Sequence, residues 1–566
     1  MSSTDWIVLF CTLSAIVLYG VYKSRGIRSI DGYLLGNKSL PWYHVALSVM
    51  ATQASAITFL SAPGLAYSSG MSFVQFYFGV PLAMIVLSIT FVPVFHRLRV
   101  FTAYEFLEKR FDVRTRAFTA LLFLVQRGLS TGITIYAPAI ILSSILQINV
   151  TYTTLFIGAL VILYTVYGGT KAVSYTQLLQ MSIIFGGLVV AGVLVIYLLP
   201  ANIGLVKALH IAGKSGKTNA IDLSFDWNNP YTIWSGIIGG FFLQLSYFGT
   251  DQSQVGRYLT GSSIRDSRIG LLMNGLLKVP MQFSILLIGI LVFAYYQYNS
   301  PPIFFNKFEL HKIENSSYAP QIAELESKHL QVFTEKRNHI NALTAALDRR
   351  DDAAIATIRK QLHETDHQSK QIRDNLITLM RQNDPAADTN DNNYIFLSFV
   401  TDNFPKGLIG LLIAIVFMAS MGSTASAINS LASTTVIDIY KRFVSKEASD
   451  RRYLSASRIF TLIWGIFCVA IALFASRLGN LLEAVNILGS LFYGTILGIF
   501  VVAFYLKHAG AKAVLAAALL TEIIVVSLWL GNVMAFLWLN LVGCAGVVLF
   551  ALLFQLTFPT PKPKTQ

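Results

Sequence analysis

The sequence predicts an all-α polytopic membrane protein with about thirteen transmembrane helices and one helical extramembrane insertion. Three observations carry that prediction. Of the 566 residues, 54% are hydrophobic and only 13% charged, well outside the balance of a soluble domain. Apolar runs long enough for the roughly 20 residues that cross a bilayer recur along the chain. They are interrupted once, at residues 310–392, by a highly charged stretch with helical periodicity.

The first run, WIVLFCTLSAIVLYGVY, has no basic segment before it and is followed by Lys23, Arg25 and Arg28. It reads as a retained span, about 5–23, with its amino end outward, rather than as a cleaved signal. Further spans are expected at about 41–65, 72–96, 115–146, 151–168, 173–199 and 230–249, then at 266–297, 405–438, 454–476, 480–506, 511–530 and 533–557. An odd count puts the termini on opposite sides, with the carboxyl end cytoplasmic. The inner loops then collect Arg97, Arg99, Lys109, Arg110, Lys171, Arg257, Arg265, Lys441, Arg442, Lys507, Lys562 and Lys564. Short outer loops near 66–71, 147–150 and 531–532 hold no Lys or Arg. That is the positive-inside pattern, and it suits a multi-pass protein of a plasma membrane of the bacterial inner-membrane kind. It also accounts for the formal net charge of +14 without a nucleic-acid partner. Cys11, Cys468 and Cys544 lie in apolar stretches and form neither a disulfide framework nor a metal spacing.

Within 310–392, the stretch AELESKHLQVFTEKRNHINALTAALDRRDDAAIATIRKQLHETDHQSKQIRDNLITLMRQN is expected to form an outward-facing helical hairpin, self-packed, with a turn near Asp351 and Asp352. It reads first as a tolerated loop insertion and second as a docking surface for an unknown partner. None of the nine His falls in an HExxH pattern, and no GxSxG, Walker-type loop or dinucleotide fingerprint occurs. Neither an enzyme nor an organic cofactor is expected.

What remains is polarity at membrane depth, which is costly enough to mark function. Arg127 lies in LLFLVQRGLSTGITIYAPAI, Lys278 in IGLLMNGLLKVPMQF, and Glu483 and Asn486 in LLEAVNILGSLFYG. Each also admits a structural reading, as an ion pair or a side chain reaching the interface; Glu522 reads as structural. Two spans look broken, at Thr52 to Ser55 in VALSVMATQASAITFLSAPG and at Gly249 in FFLQLSYFGTDQSQVGR, after Gln244, Ser246 and Tyr247. Paired interrupted helices in the two halves of a transporter point to a binding site, because freed carbonyls and half-helix ends hold ions. In GSTASAINSLASTTVIDIYKR, residues 422–442, a helical phase of about 100° per residue puts Ser423, Ser430 and Thr434 in one narrow stripe. Such a stripe suits sodium, which takes oxygen ligands, or a close helix contact through small residues.

The stretches SAITFLSAPGLAYSSG, STGITIYAPAIIL, VYGGTKAVSYTQLLQ and GSTASAINSLASTTVIDIYKR, with FTAYEFLEKRF and DQSQVGRYL, resemble the sodium-solute symporter family. That family includes the sodium-coupled sugar, proline, iodide, monocarboxylate and multivitamin carriers. The likeness covers nearly the whole chain apart from 310–392. It implies a LeuT-type fold: an extra span and loop at 1–40, five-helix inverted repeats at 41–199 and 230–506, an outer loop between them at 200–229, and two further spans with a short inner tail at 507–566. It implies a sodium site from the carbonyls of Ala51, Ala54 and Ala419 and the hydroxyl of Ser423, with Gly422 standing where the family usually offers another hydroxyl. Gln177 stands where many members that couple a second sodium have Asp, which implies one sodium per substrate. Lys278 keeps the family's spacing from Arg257 for a lysine near the substrate, and Tyr247 matches an aromatic residue that closes the inner gate of the sugar carriers. Ile57 and Thr58 replace the acidic and amide pair of those carriers. The implied substrate set is Gln53, Ser55, Thr58, Tyr77, Arg127, Gln244, Tyr247 and Lys278. Because STGITIYAPAIIL is most similar to the iodide, monocarboxylate and multivitamin group, the expected activity is sodium-driven import of a small organic monoanion, a monocarboxylate or an acidic sugar. A sugar or other neutral solute is the alternative, and a sensor on a transporter scaffold a distant one.

Overall fold

The apolar runs fold as helices throughout the computed structural model, which describes residues 1–24, 38–98, 100–201, 203–385, 387–478 and 480–557. Arg25, Arg28, Arg99, Lys562 and Lys564, and the side chains of Lys23 and Lys171, lie outside the described residues. Helix α1 (Ser3–Ser24) is followed by a span bent by 60° into α2 (Trp42–Gln53) and α3 (Ala56–Ser69). Ser72–Leu98 is the next span, a 3-10 segment, Ser72–Tyr77, leading into α4 (Val80–Ile89) and α5 (Phe91–Leu98). Then come α6 (Tyr104–Arg110), α7 (Val113–Leu146), α8 (Val150–Tyr197) and α9 (Leu205–Lys214). Asp112 starts α7 by accepting from the Thr115 amide at 2.8 Å, and Asn149 starts α8 by accepting from the Thr151 amide at 2.8 Å. A second broken segment follows, as a π-helical turn, Ser235–Gly239, then α10 (Gly240–Thr250) and α11 (Gln252–Tyr258). It leads into α12 (Ile264–Tyr295).

The insertion forms α13 (Lys307–Glu314), α14 (Ala319–Arg349) and α15 (Asp352–Asn383). The turn falls at Arg350, which is left-handed with φ 55°, and Asp351, whose carboxylate accepts from the Ala354 amide at 3.0 Å. Near its base the pair buries Ile322, Leu325, Ile372 and Leu376 with Ile303 and Phe304. Near its tip Ile340, Leu343, Ile355 and Ile358 join the main core instead. Lys207 of α9 pairs with Asp348 at 2.9 Å, and Tyr298 hydrogen-bonds Thr344 at 3.0 Å. The hairpin therefore lies back on the body, and its apolar stripe is used within the chain. Among its described residues Leu330 is the one large apolar side chain left exposed.

The chain continues through α16 (Ile395–Asn403), α17 (Leu408–Thr434) with a π-helical extension to Val444, α18 (Asp450–Ala472), α19 (Leu481–Tyr505), α20 (Ala511–Leu530) and α21 (Phe536–Thr557). Helix α1 packs on α8 and α17, while α20 and α21 pack beside α19. On the hairpin face, the Asp5 carboxylate accepts from the amides of Gly407 at 2.6 Å and Gly410 at 3.3 Å, holding the positive end of α17. A Cβ on Gly410 would lie 2.1 Å from the Asp5 carbonyl oxygen, so no larger residue allows this approach. On the opposite face Arg116 Nε donates to Asp438 at 2.7 Å, and Glu108 joins Arg116 at 2.7 Å to Arg442. Both ends of α17 are thus fastened.

Ten helices among the described residues are long and apolar enough to cross a membrane, or eleven with the bent pair, against thirteen expected. Two expected spans account for the difference. Those at 151–168 and 173–199 form one 48-residue helix, α8, with a shorter apolar part at Val150–Leu163 and a full span at Val173–Tyr197. The stretch between them has no proline to stop a helix. The span at 230–249 is helical from Ser235 to Thr250, too short to qualify alone. Its break falls at Asp251, in extended backbone (φ −74°, ψ 117°), and not at Gly249; a capping carboxylate, more than glycine freedom, sets the boundary.

Candidate functional site

The first break frees backbone oxygen. At the end of α2 the amide of Ser55 turns to the Gln53 carbonyl (3.0 Å) and that of Thr58 to the Ser55 carbonyl (3.0 Å). Each would otherwise bond four residues back, so the carbonyls of Ala51 and Ala54 are left without their helical donors. They lie at the negative end of α2, where a cation is favoured.

Facing this break is the hydroxyl-rich part of α17, buried along its length. Ser423 Oγ donates back to the Ala419 carbonyl at 2.9 Å, which leaves its lone pairs for a cation. Ser430 likewise donates to the Ser426 carbonyl at 2.8 Å. Thr52 of α2 approaches Ser426 at 3.4 Å, so break and stripe are neighbours. No group of three His, Cys, Asp or Glu suited to a metal occurs among the described residues. The oxygens on offer here are backbone carbonyls and hydroxyls, a donor set that suits a hard monovalent cation.

Gly422 and Gln177 occupy one spot. Gln177 accepts from Ser48 Oγ at 2.6 Å, and its amide donates to Thr52 Oγ1 at 3.1 Å and the Gly422 carbonyl at 3.3 Å. One neutral side chain therefore ties α2, α8 and α17. A Cβ on Gly422 would meet Gln180 Oε1 at 2.5 Å, so the missing hydroxyl makes room for the amides of α8.

Beside the break is a cavity lined by Gln53, Ser55 and Thr58, by Phe76 and Tyr77, and by Arg127 of α7. Leu243, Gln244 and Tyr247 of α10 and Asn486 and Tyr493 of α19 also line it. Gln53 Nε2 donates to Gln244 Oε1 at 3.4 Å, joining the two broken segments. The other ends of both amides, Gln53 Oε1 and Gln244 Nε2, have no protein partner and can serve a polar solute. Arg127 is 9% exposed, its Nε has no partner, and its guanidinium lies over the Tyr247 ring at 5.8 Å. Behind the wall, Asp251 Oδ2 sits 3.6 Å from Arg127 and accepts from the Tyr493 hydroxyl at 2.8 Å.

Seven of the eight substrate candidates line this one cavity. Lys278 does not: it is fully buried one layer back, over the Tyr77 ring at 5.3 Å, and its ammonium has no hydrogen-bond partner. Glu483 accepts from Tyr231 at 2.7 Å in the first turn of α19, an end-of-helix position and not mid-span. Asp251 and Tyr493 were not among the sequence candidates. The Asp-x-Ser spacing in TDQSQ is a helix-start signal that marks Asp251; nothing local marks Tyr493, which reaches the site only through the packing of α19 on α10.

Two broken helices meeting at a polar cavity, with freed carbonyls facing a hydroxyl-lined helix, describe an ion-coupled carrier rather than an enzyme. The sequence profile of the Sodium:solute symporter family matches residues 33–308 and 381–521, and the chain belongs to that family. The unmatched interval is essentially the α14–α15 hairpin. The chain is 26% identical over 551 residues to the sodium/sialic acid symporter SiaT of Proteus mirabilis (strain HI4320), covering 96% of this chain and 93% of that one. It is 27% identical over 519 residues to the sodium/sialic acid symporter NanT of Aliivibrio fischeri (strain ATCC 700601 / ES114), at 90% and 85% coverage. The human sodium/iodide cotransporter is 25% identical over 508 residues, covering 89% of this chain and 65% of that one. Among solved structures, a Na+-coupled sialic acid symporter in a substrate-bound outward-open state matches 99% of both chains with a TM-score of 0.76 at 23% identity. The LeuT-type fold implied by the sequence is the fold of this chain, and sodium is the coupling ion of its family.

Proposed function

We propose that the chain imports a small organic monoanion, an acidic sugar or a monocarboxylate, together with one sodium ion. The observation that carries this reading is Arg127: an intramembrane guanidinium at the cavity wall with an unused Nε donor, able to take a carboxylate in a bidentate pair. The free amide ends of Gln53 and Gln244, with Ser55 and Thr58, suit the hydroxyls of an acidic sugar. The first two relatives are sialic acid symporters, which makes sialic acid the first solute to try. Sodium is held by the carbonyls of Ala51, Ala54 and Ala419 and the hydroxyl of Ser423, with Gly422 contributing no side chain. The single sodium follows from Gln177, whose amide hydrogens occupy the Thr52 and Gly422 oxygens. The inverted repeats are 41–199 and 230–506, with α20 and α21 appended. Basic residues such as Arg110 and Arg442 gather on the face opposite the hairpin, so that face is cytoplasmic and the amino terminus and hairpin are outside.

One sodium with one monoanion moves no net charge. The driving force is then the sodium gradient alone, about 1.4 kcal/mol per tenfold difference. The experiment is uptake of radiolabelled sialic acid into proteoliposomes with the membrane potential clamped. Uptake should require an inward sodium gradient, be indifferent to potential, and fall at least about tenfold in Arg127→Ala. Uptake that ignores sodium would sink the reading. A second reading, a neutral solute, is favoured by Asp251, which already balances the Arg127 charge. In that case an inside-negative potential accelerates uptake, Arg127→Ala retains it, and neutral sugars compete.

A further inference from the structure

Asp251 is the residue between α10 and α11, and its two carboxylate oxygens have separate partners. Oδ1 starts α11, accepting from the Ser253 amide at 2.8 Å and hydroxyl at 2.6 Å. Oδ2 lies behind the part of the cavity wall made by Arg127, Tyr247 and Tyr493, here called the floor, accepting from Tyr493 at 2.8 Å and lying 3.6 Å from Arg127. That distance gives attraction without a full hydrogen bond, so the guanidinium is held but not saturated. The same floor is knitted further: Ser246 donates to the Tyr493 carbonyl at 2.6 Å, Gln254 to the Tyr247 hydroxyl at 2.7 Å, and Tyr104 to the Thr250 carbonyl at 2.8 Å. One buried carboxylate, 1% exposed, thus joins α7, the second helix break and α19 directly beneath the cavity.

We propose that Asp251 is a built-in stand-in for the substrate's carboxylate, holding Arg127 until an anionic substrate takes the guanidinium over and thereby releases the cavity floor. The inference rests on the monoanion reading above and makes Asp251 a positioning residue, acting through Arg127. Once a substrate carboxylate engages Arg127, Asp251 keeps Tyr493 but loses its counter-charge. A buried carboxylate without a partner charge is costly, and the cost is relieved when the floor opens and admits water. Binding and opening are thereby linked through one charge. A neutral solute cannot take Arg127 from Asp251, so it occupies the cavity without opening the floor.

Asp251→Asn is a clean probe, because asparagine still caps α11 and still offers Tyr493 a partner while removing the charge. With sialic acid and lactate as probes at saturating sodium, the variant is expected to bind at least one of them about tenfold more tightly and to transport it at least about tenfold more slowly. Asp251→Glu restores the rate, and the methyl ester of sialic acid, lacking the anion, binds both proteins alike. A structural role alone would weaken binding and rate together. If wild type binds neither monoanion, the monoanion reading and this one fall together. If wild type binds one and Asp251→Asn binds it no more tightly, only the role of Asp251 falls. Should Asp251→Asn not fold, Tyr493→Phe leaves Asp251 leaning wholly on Arg127 and is expected to weaken monoanion binding several-fold; unchanged or tighter binding overturns the proposal.

Discussion

Gly422 and Gln177 look like two separate departures from a family pattern, yet they touch. Replacing Gln177 with Asp removes the amide hydrogens from Thr52 and the Gly422 carbonyl and supplies a carboxylate among oxygens. The expected outcome is a second sodium: the sodium dependence of uptake should steepen from a Hill coefficient near one toward two, and uptake of a monoanion should become sensitive to potential. Ser423→Ala removes one of the proposed ligands without disturbing a helix, and the sodium concentration for half-maximal uptake should rise about tenfold, read by titrating sodium. The polar residues of the breaks were legible in the sequence because polarity at membrane depth is rare and the breaks gather it. Lys278 shows the limit. Its spacing from Arg257 is a property of the chain, whereas its separation from the cavity by the Tyr77 ring is a property of how α12 packs. Asp251 was missed for the opposite reason, since it acts by closing a network across α7, α10 and α19 that no window of sequence contains.

At the scale of elements, runs of apolar residues placed most helices to within a few positions. They failed where length and continuity disagree: α8 carries two expected spans in one helix, and α10–α11 falls short of one span because a carboxylate cap interrupts it. The hairpin was legible from its helical periodicity and its turn near Asp351 and Asp352. Its lying back on α9 and on the turn after α12 was not legible, since that depends on pairs such as Lys207–Asp348 and Tyr298–Thr344. The loop after α15 presses on α3, where a Cβ on Gly64 would lie 1.9 Å from the Asn392 carbonyl oxygen. In that loop burial pushes the Asp388 carboxyl up to about 7, with Glu309 and Asp391 adding to the shift, against hydrogen bonds from Asn390 and Tyr394. Glu309 itself is pushed up by burial and by Asp384, with Lys312 opposing. Folding therefore favours the protonated acid: the stabilisation is complete below the ordinary carboxylate range and is lost as pH rises through about 7. Amide hydrogen exchange at the base of α15, after correction for the intrinsic rate, should be faster at pH 8 than at pH 6, and Asp388→Asn should reduce that difference. The same difference in the Asn variant would refute the assignment.

For the whole molecule, sodium that binds the native fold and not the unfolded chain must stabilise it, by about 2.7 kcal/mol at a hundred times its dissociation constant. Purified wild-type protein should unfold at higher temperature in sodium than in an equal concentration of choline, and Ser423→Ala should lose most of that difference. Excising 319–383 in favour of a short linker should leave sodium-dependent uptake in place, because the family profile runs continuously on either side of that interval, while lowering the unfolding temperature through loss of the base cluster.

That hairpin also changes how the protein can be imaged. Carriers of this kind are nearly all bilayer-embedded helix, which leaves little to align in a particle image. Here two helices of 31 and 32 residues, each about 47 Å long at 1.5 Å per residue, are packed to the body at base and tip and present a polar outer surface. They form a rigid fiducial, and an antibody fragment raised to their outer face would fix particle orientation without touching the broken helices.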